Sequence, residues 1–255
     1  MKTREPSGPP GAAARNRRAA ADDASGFPRP LLERLALYYQ IATSEGEEGQ
    51  DAISSAFLAE LIGIDATLVR KDMAAAGITG RPKVGYAIAE VLARLDSVLG
   101  LTDRNDAILI GCGDLGSAIA RYAGFGRYGL KIAAVFDVDP TKIGRSVGGH
   151  VVLPMEKCKS FIEIFRIQIA ILAAPANGAQ ETADWLVRKG VKAIWNFAPV
   201  HLRVPDDVAV RNENLALGLA QLIHMFKVKR GNLQVPVPAP DAAQTEPELG
   251  AKRTG

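Results

Sequence analysis

Residues 108–116 read Ile108-Leu109-Ile110-Gly111-Cys112-Gly113-Asp114-Leu115-Gly116, an apolar strand running straight into a G-x-G-x-x-G loop. A helix over 117–122 follows, and a second apolar run ends in Asp137, 21 residues after Gly116. This is the arrangement of a dinucleotide-binding βαβ unit. Gly111 permits the tight turn, Gly113 lets the backbone come close to a pyrophosphate, and Gly116 lets helix pack on strand. Unpaired N–H groups at the amino end of the helix attract phosphate. Asp137 is placed to accept hydrogen bonds from the adenosine ribose hydroxyls. Its charge would repel a 2′-phosphate, so NAD(H) is expected over NADP(H). Asp114 suits the helix dipole but stands where an anionic pyrophosphate would approach.

Outward from this loop, apolar runs at 107–110, 132–136, 169–173 and 193–195 alternate with helical segments. Such runs suit strands buried on both faces, and the alternation predicts an α/β, doubly wound parallel sheet of the Rossmann type. Upstream the texture differs. A helix from Pro30 carries Leu31, Leu35, Tyr38 and Ala42 at helical spacing. After a polar loop at 44–50, Ser54 or Ser55 caps a short helix bearing Phe57, Leu58, Leu61 and Ile62. Gly63 ends it, Ile64 is expected buried in the turn, and Asp65 caps a helix from Ala66 to about Ala76. Two short helices across a tight turn make a helix-turn-helix. Gly77, Gly80 and Pro82 end that unit. Residues 83–88 then predict the strand of a wing, and Ile88, Val91, Leu92, Leu95 and Leu99 stripe one more helix. The expected order is an N-terminal winged helix-turn-helix over 28–102, then a Rossmann domain over 105–214. Tails at 1–27 and 229–255 hold too few apolar residues to offset the entropy of ordering and are expected to be flexible.

The 255 residues suffice for two modest domains. A net charge of +3 permits nucleic-acid binding without arguing for it. The distribution of charge says more. Thr67, Arg70 and Lys71 fall near one face of the second short helix, Arg81 and Lys83 fall in the wing, and Asp72 is the only acid between residues 66 and 89. Arginine can grip a guanine edge bidentately and lysine suits phosphate, although a solvated basic surface is the plainer alternative. His150, His201 and His224 fit no acid–base pattern, so the loop is expected to bind a nucleotide rather than transform a substrate. Cys112 and Cys158 sit in apolar settings as free thiols without metal-ligand spacing. No apolar stretch reaches the roughly 18 residues of a membrane span. The first 26 residues lack the apolar core of a secretory signal, so a cytoplasmic location is expected. Two other readings stay open on these residues: an NAD-dependent oxidoreductase with a small N-terminal cap, and a CoA- or nucleotide-sugar-binding protein without DNA activity.

The sequence resembles the Rex family of redox-sensing transcriptional repressors over residues 28–228. The stretches that carry the likeness are Arg34-Leu35-Ala36-Leu37-Tyr38-Tyr39, Ser54-Ser55-Ala56, Val69-Arg70-Lys71-Asp72 and Val84-Gly85-Tyr86, then Ile108-Leu109-Ile110-Gly111, Phe136-Asp137-Val138-Asp139-Pro140, Lys142-Ile143-Gly144 and Asn196-Phe197-Ala198-Pro199-Val200. The resemblance implies a homodimer that binds an inverted-repeat DNA operator through two winged helices and leaves it when NADH replaces NAD⁺. It places Gly111, Cys112, Gly113, Asp114, Leu115, Gly116, Asp137 and Val138 on the adenosine half of the dinucleotide. Ala174, Pro175, Asn196, Phe197, Ala198 and Pro199 would lie beside the nicotinamide. Ser54, Thr67, Arg70, Lys71, Arg81 and Lys83 would contact DNA, and a helix at 215–228 would be exchanged between protomers.

Arg34, Tyr122 and Asn214 correspond to a hydrogen-bonded set that joins the two domains in the family. Its third member is usually Asp, so an ion pair becomes a bond between neutral and charged groups. Two further departures bear on DNA. Ser-Tyr-Phe-Gly, usual after the recognition-helix Asp, is Ala74-Ala75-Ala76-Gly77 here, and Arg-Gly before Val-Gly-Tyr is Pro82-Lys83. Both imply an operator unlike the family's usual one.

Overall fold

Four apolar runs become the centre of one sheet. A computed structural model describes residues 26–230, so nearly all of both tails lies outside the described residues. The helical half comprises α1 (Arg29–Glu47), β1 (Ala52–Ile53), α2 (Ser55–Ile62), α3 (Ala66–Ala75), β2 (Tyr86–Ala87) and α4 (Ile88–Leu99). The sheet half follows as β3 (Asn105–Ile110), α5 (Asp114–Arg121), a 3₁₀ turn (Ala123–Tyr128), β4 (Leu130–Asp137), β5 (Ser146–Val147) and β6 (His150–Pro154). It continues with α6 (Cys158–Phe165), β7 (Ile169–Leu172), α7 (Ala179–Arg188), β8 (Ala193–Asn196), β9 (Ala209–Asn212) and α8 (Leu215–Lys229).

The sheet runs in the order β5-β6-β4-β3-β7-β8-β9. Only β5 is antiparallel to its neighbour; the other pairs are parallel. Without β5, the order is the doubly wound one, in which the direction of winding reverses between the first strand, β3, and the fourth, β7. Successive side chains of β3 point to opposite faces. Ile108 and Ile110 join Phe136, Cys158, Ile162 and Leu186 in one core, while Ala107 and Leu109 join Val135, Ile119 and Ile171 in the other. A third core, of Leu35, Tyr38, Val69, Met73, Val91 and Leu95 among others, belongs to the helical half alone. Both cysteines are free and buried, and desolvation pushes the Cys158 thiol up to about 12.

Local signals placed the helix-turn-helix closely. Ser54, not Ser55, caps α2 by accepting from Phe57 N–H at 3.0 Å, and Asp65 caps α3 by accepting from Thr67 N–H at 2.6 Å. Gly63 closes α2 in the left-handed region at φ 76°. Ile64 is half-buried rather than buried. The wing strand expected over 83–88 shrinks to Tyr86–Ala87, paired antiparallel with Ala52–Ile53. Pro82 has no N–H to donate, and Lys83 takes φ 64°, which turns the chain there. The helix after the glycine loop begins at Asp114 rather than 117, directly after Gly113.

Candidate nucleotide and nucleic-acid sites

At the switch point lies a cleft of about 590 Å³, walled by the glycine loop, the end of β4 and the loops after β7 and β8. Gly111 has φ 94°, and a Cβ there would meet Ala173 O, just past the end of β7, at 2.5 Å. The loop therefore passes over the sheet at backbone contact. Gly116 packs against the Gly111 carbonyl so closely that a Cβ would overlap it. Gly113, by contrast, faces open space within the cleft wall, the room a pyrophosphate requires. The chemistry of the cradle therefore fits a dinucleotide: a bare backbone at the amino end of α5, with a carboxylate at the end of the next strand.

That carboxylate is already engaged. Asp137 Oδ2 accepts from Cys112 N–H at 2.6 Å and from Lys142 Nζ at 3.2 Å, while Oδ1 accepts from Asp139 N–H at 2.8 Å. Burial alone would raise its pKa, but the amides of Asp139 and Cys112 and the Lys142 ammonium hold it below the ordinary carboxylate value. Asp137 thus braces the loop as well as lining the cleft. The expected repulsion of a 2′-phosphate comes from a set, Asp137 and Asp139 offset by Lys142, and not from one free charge.

Of the other residues assigned to the cofactor, Asp114, Leu115, Val138, Ala174, Pro175, Phe197 and Pro199 line the cleft. Cys112, Gly116, Asn196 and Ala198 do not. Cys112 turns its thiol toward Ser117 Oγ at 3.4 Å and uses its N–H on Asp137. Asn196 is fully buried; its Oδ1 accepts from Ala198 N–H at 3.0 Å, and its Nδ2 donates to Val200 O and to Asn212 Oδ1, both at 2.8 Å. It shapes the 197–200 loop from beneath. The sequence reading missed Lys142 in the cleft. Its signal was Asp139, which accepts from Thr141 N–H and Oγ1 and so turns Lys142 back toward Asp137.

On the helical half, α3 and the wing enclose a second cavity of about 660 Å³ that Ser54, Arg70, Arg81 and Lys83 line together. Arg70 is held in place by Thr67 Oγ1 at 3.0 Å and Ser55 Oγ at 3.4 Å. Lys71 is exposed outside that cavity. Asp72, the one acid of this stretch, points inward and leaves the outer face of α3 to cations. Lys83 in the left-handed region costs an L-residue roughly 1–2 kcal/mol. Lys83→Gly should therefore hold or raise the melting temperature, by up to the equivalent of about 1 kcal/mol after glycine's own entropy cost. A lower melting temperature in a thermal scan would contradict the strain.

Residues 27–74 match a family model described as the putative DNA-binding protein N-terminus, and residues 102–200 match one described as the CoA binding domain. The redox-sensing transcriptional repressor Rex of Treponema denticola is 36% identical over 201 residues, covering 79% of this chain and 96% of that protein. Its counterpart from Carboxydothermus hydrogenoformans is 38% identical over 204 residues, covering 80% and 97%. The chain belongs to the Rex family. Among solved structures, RSP, a Rex-family repressor, superposes with a TM-score of 0.72 at 34% identity, covering 80% of this chain and 95% of that one. RSP in complex with beta-NAD+ and operator DNA gives a TM-score of 0.73 at 35% identity, covering 80% and 94%.

The set expected to join the two domains of this Rex is not assembled within one chain. Arg34 donates to Asp72 through Nε at 2.6 Å and Nη2 at 2.8 Å, and Tyr38 Oη donates to the same carboxylate at 2.8 Å. That bidentate pair uses two of the five guanidinium N–H donors and makes Arg34 an anchor of α3 within the helical half. Tyr122 stands exposed with its ring edge-on to Phe125. Asn214 caps α8, its Oδ1 accepting from the N–H groups of Ala216 and Leu217. Asp72 was invisible as Arg34's partner because 38 residues separate them.

Proposed function

We propose that this Rex represses transcription as a homodimer, binding an inverted-repeat operator through two winged helices and releasing it when NADH replaces NAD⁺. One observation carries the reading. A cation-faced recognition helix and a dinucleotide cleft occur in one chain whose likeness to repressors spans both halves in a single run. RSP, similar over the same span, has been solved with beta-NADH and with beta-NAD+ and operator DNA. A nucleotide-binding protein without DNA activity would leave the first half of that likeness unexplained. None of the three histidines lines the cleft, so the reading assigns it no reaction.

Gly113 and the first amides of α5 would hold the pyrophosphate, Val138 would cover the adenine side, and Phe197 and Pro199 would border the nicotinamide. The bound cofactor supplies the redox signal, in the charge and shape of its nicotinamide ring. For the dimer the support is α8. Leu217, Leu219, Leu222, Met225 and Phe226 are 55–61% exposed on the single chain, an apolar surface too large to face water by default. No helix among the described residues is long and apolar enough to cross a membrane. A cytoplasmic place follows from DNA as the partner.

Fluorescence anisotropy with labelled DNA from the protein's own upstream region tests this. The parent should bind that DNA and release it as NADH is added. Arg70→Ala should lose most of the affinity, because a bidentate guanine contact is worth roughly 1–3 kcal/mol and a dimer carries two. Parent-like binding by Arg70→Ala would remove α3 as the reading helix, and indifference to NADH would remove the redox role.

A further inference from the structure

Two contact zones join the halves. At one, Arg127 Nη1 donates to Glu47 Oε1 at 3.0 Å and Tyr128 meets Tyr39 at 6.0 Å between ring centroids. At the other, Arg211 on β9 donates through Nη1 to Glu33 Oε1 at 2.7 Å and through Nε to Glu213 Oε1 at 2.9 Å. Both zones sit on α1, toward opposite ends. The turn of the first zone touches the cleft wall through ring packing alone, Phe125 lying 5.5 Å from Trp195 between centroids, whereas the second zone is joined to it by hydrogen bonds as well.

The wiring runs through consecutive contacts. Phe197, in the cleft wall, packs its ring 4.8 Å from that of Trp195. Trp195 Nε1–H donates to Glu213 Oε1 at 3.2 Å, and Glu213 N–H donates to Asn196 O at 2.8 Å. Glu213 shares Arg211 with Glu33, and Glu33 precedes Arg34, whose guanidinium holds Asp72 of the recognition helix. A displacement of Phe197 by a ligand therefore reaches Arg211 through one aromatic contact and one carboxylate. From Arg211 it reaches the helix that aims α3. Asn214, the residue that lacks the family's carboxylate, lies next to Glu213 in this same segment.

We infer that Arg211 and Glu33 are positioning residues, an ion pair within one chain through which occupancy of the nucleotide cleft sets the orientation of the recognition helix. The inference rests on the NADH-responsive repressor reading above. A ligand shifts an equilibrium only by its unequal affinity for the two states, and the pair is one contact that the two orientations hold unequally. Exposed pairs of this kind change an equilibrium by up to about fivefold each, and a dimer carries two.

The readout is the ratio of operator dissociation constants with and without saturating NADH, measured by anisotropy on the full chain. Arg211→Gln should compress that ratio by roughly three- to tenfold. Arg211→Lys, which keeps the charge, should restore most of it. Glu33→Gln should match Arg211→Gln, and the double variant should go no further than either, since a double-mutant cycle isolates their coupling. Arg127→Gln breaks the ion pair of the first zone, which makes no bond to the Trp195–Glu213 segment, and should leave the ratio within twofold of the parent. A parent that shows no NADH dependence sinks the repressor reading, and this inference with it. A parent-like ratio in Arg211→Gln, or additive loss in the double variant, overturns the inference alone.

Discussion

Asp72→Ala should cost the helical half about 3 kcal/mol and abolish operator binding while leaving dinucleotide binding intact. The carboxylate accepts two bonds from Arg34 and one from Tyr38, with only 6% of its side chain exposed. Removing one partner of a buried pair costs roughly 3–5 kcal/mol, because the other charge stays behind without compensation. The Arg34 side chain keeps 23% of its surface, so water recovers part of that loss and the lower end applies. For a unit of this size such a change lowers the melting temperature by more than about 10 °C. Calorimetry should show the transition of the helical half falling away from that of the sheet half. A shift below the equivalent of about 1 kcal/mol would mean that Arg34 finds another acceptor and that the network does not anchor α3.

Gly116→Ala should have the corresponding effect on the sheet half. The added Cβ would overlap a backbone oxygen, that of Gly111, which no side-chain rotation can relieve. Either α5 lifts from β3 or the loop moves, and overpacking of this kind costs about 1–3 kcal/mol. With the loop as the proposed phosphate cradle, NADH affinity should fall by tenfold or more in a nicotinamide fluorescence titration. DNA binding should survive but lose its response to NADH. Gly113→Ala is the control for the direction of the clash, since nothing lies within 4 Å of a Cβ there. It should fold normally and weaken binding only through the ligand it crowds. Unchanged NADH affinity in Gly116→Ala would show that the loop is looser than its contacts.

What could be read from the sequence was what short-range chemistry decides. Ser54 and Asp65 cap helices two or three residues away, and the glycine loop with Asp137 spans a single βαβ unit. The central strands were legible because burial on both faces makes their runs uniformly apolar. Strands β5 and β9 were not, being two and four residues long at the sheet margins with mixed burial. The contacts that tune the two sites were also hidden. Arg34–Asp72 spans 38 residues and Arg211–Glu33 spans 178, and nothing local in a charged residue names its distant partner. The resemblance supplied Arg34 as a residue of interest without its partner inside the helical half, Asp72. Asn196 and Ala198, expected beside the nicotinamide, are buried under the cleft wall as its support rather than its lining.

The two thiols bear on what kind of redox signal the protein can register. With its acid dissociation pushed to about 12, Cys158 is almost wholly protonated at neutral pH, and the sulfur species that attacks peroxides and disulfides is the thiolate. Cys112 is packed inside the loop with 6% of its surface open. Peroxide stress thus has no ready point of attack on this sulfur. A sensor that reads the coenzyme pool does so by reversible occupancy. It follows that pool upward and downward, and occupancy itself consumes no reductant to reset.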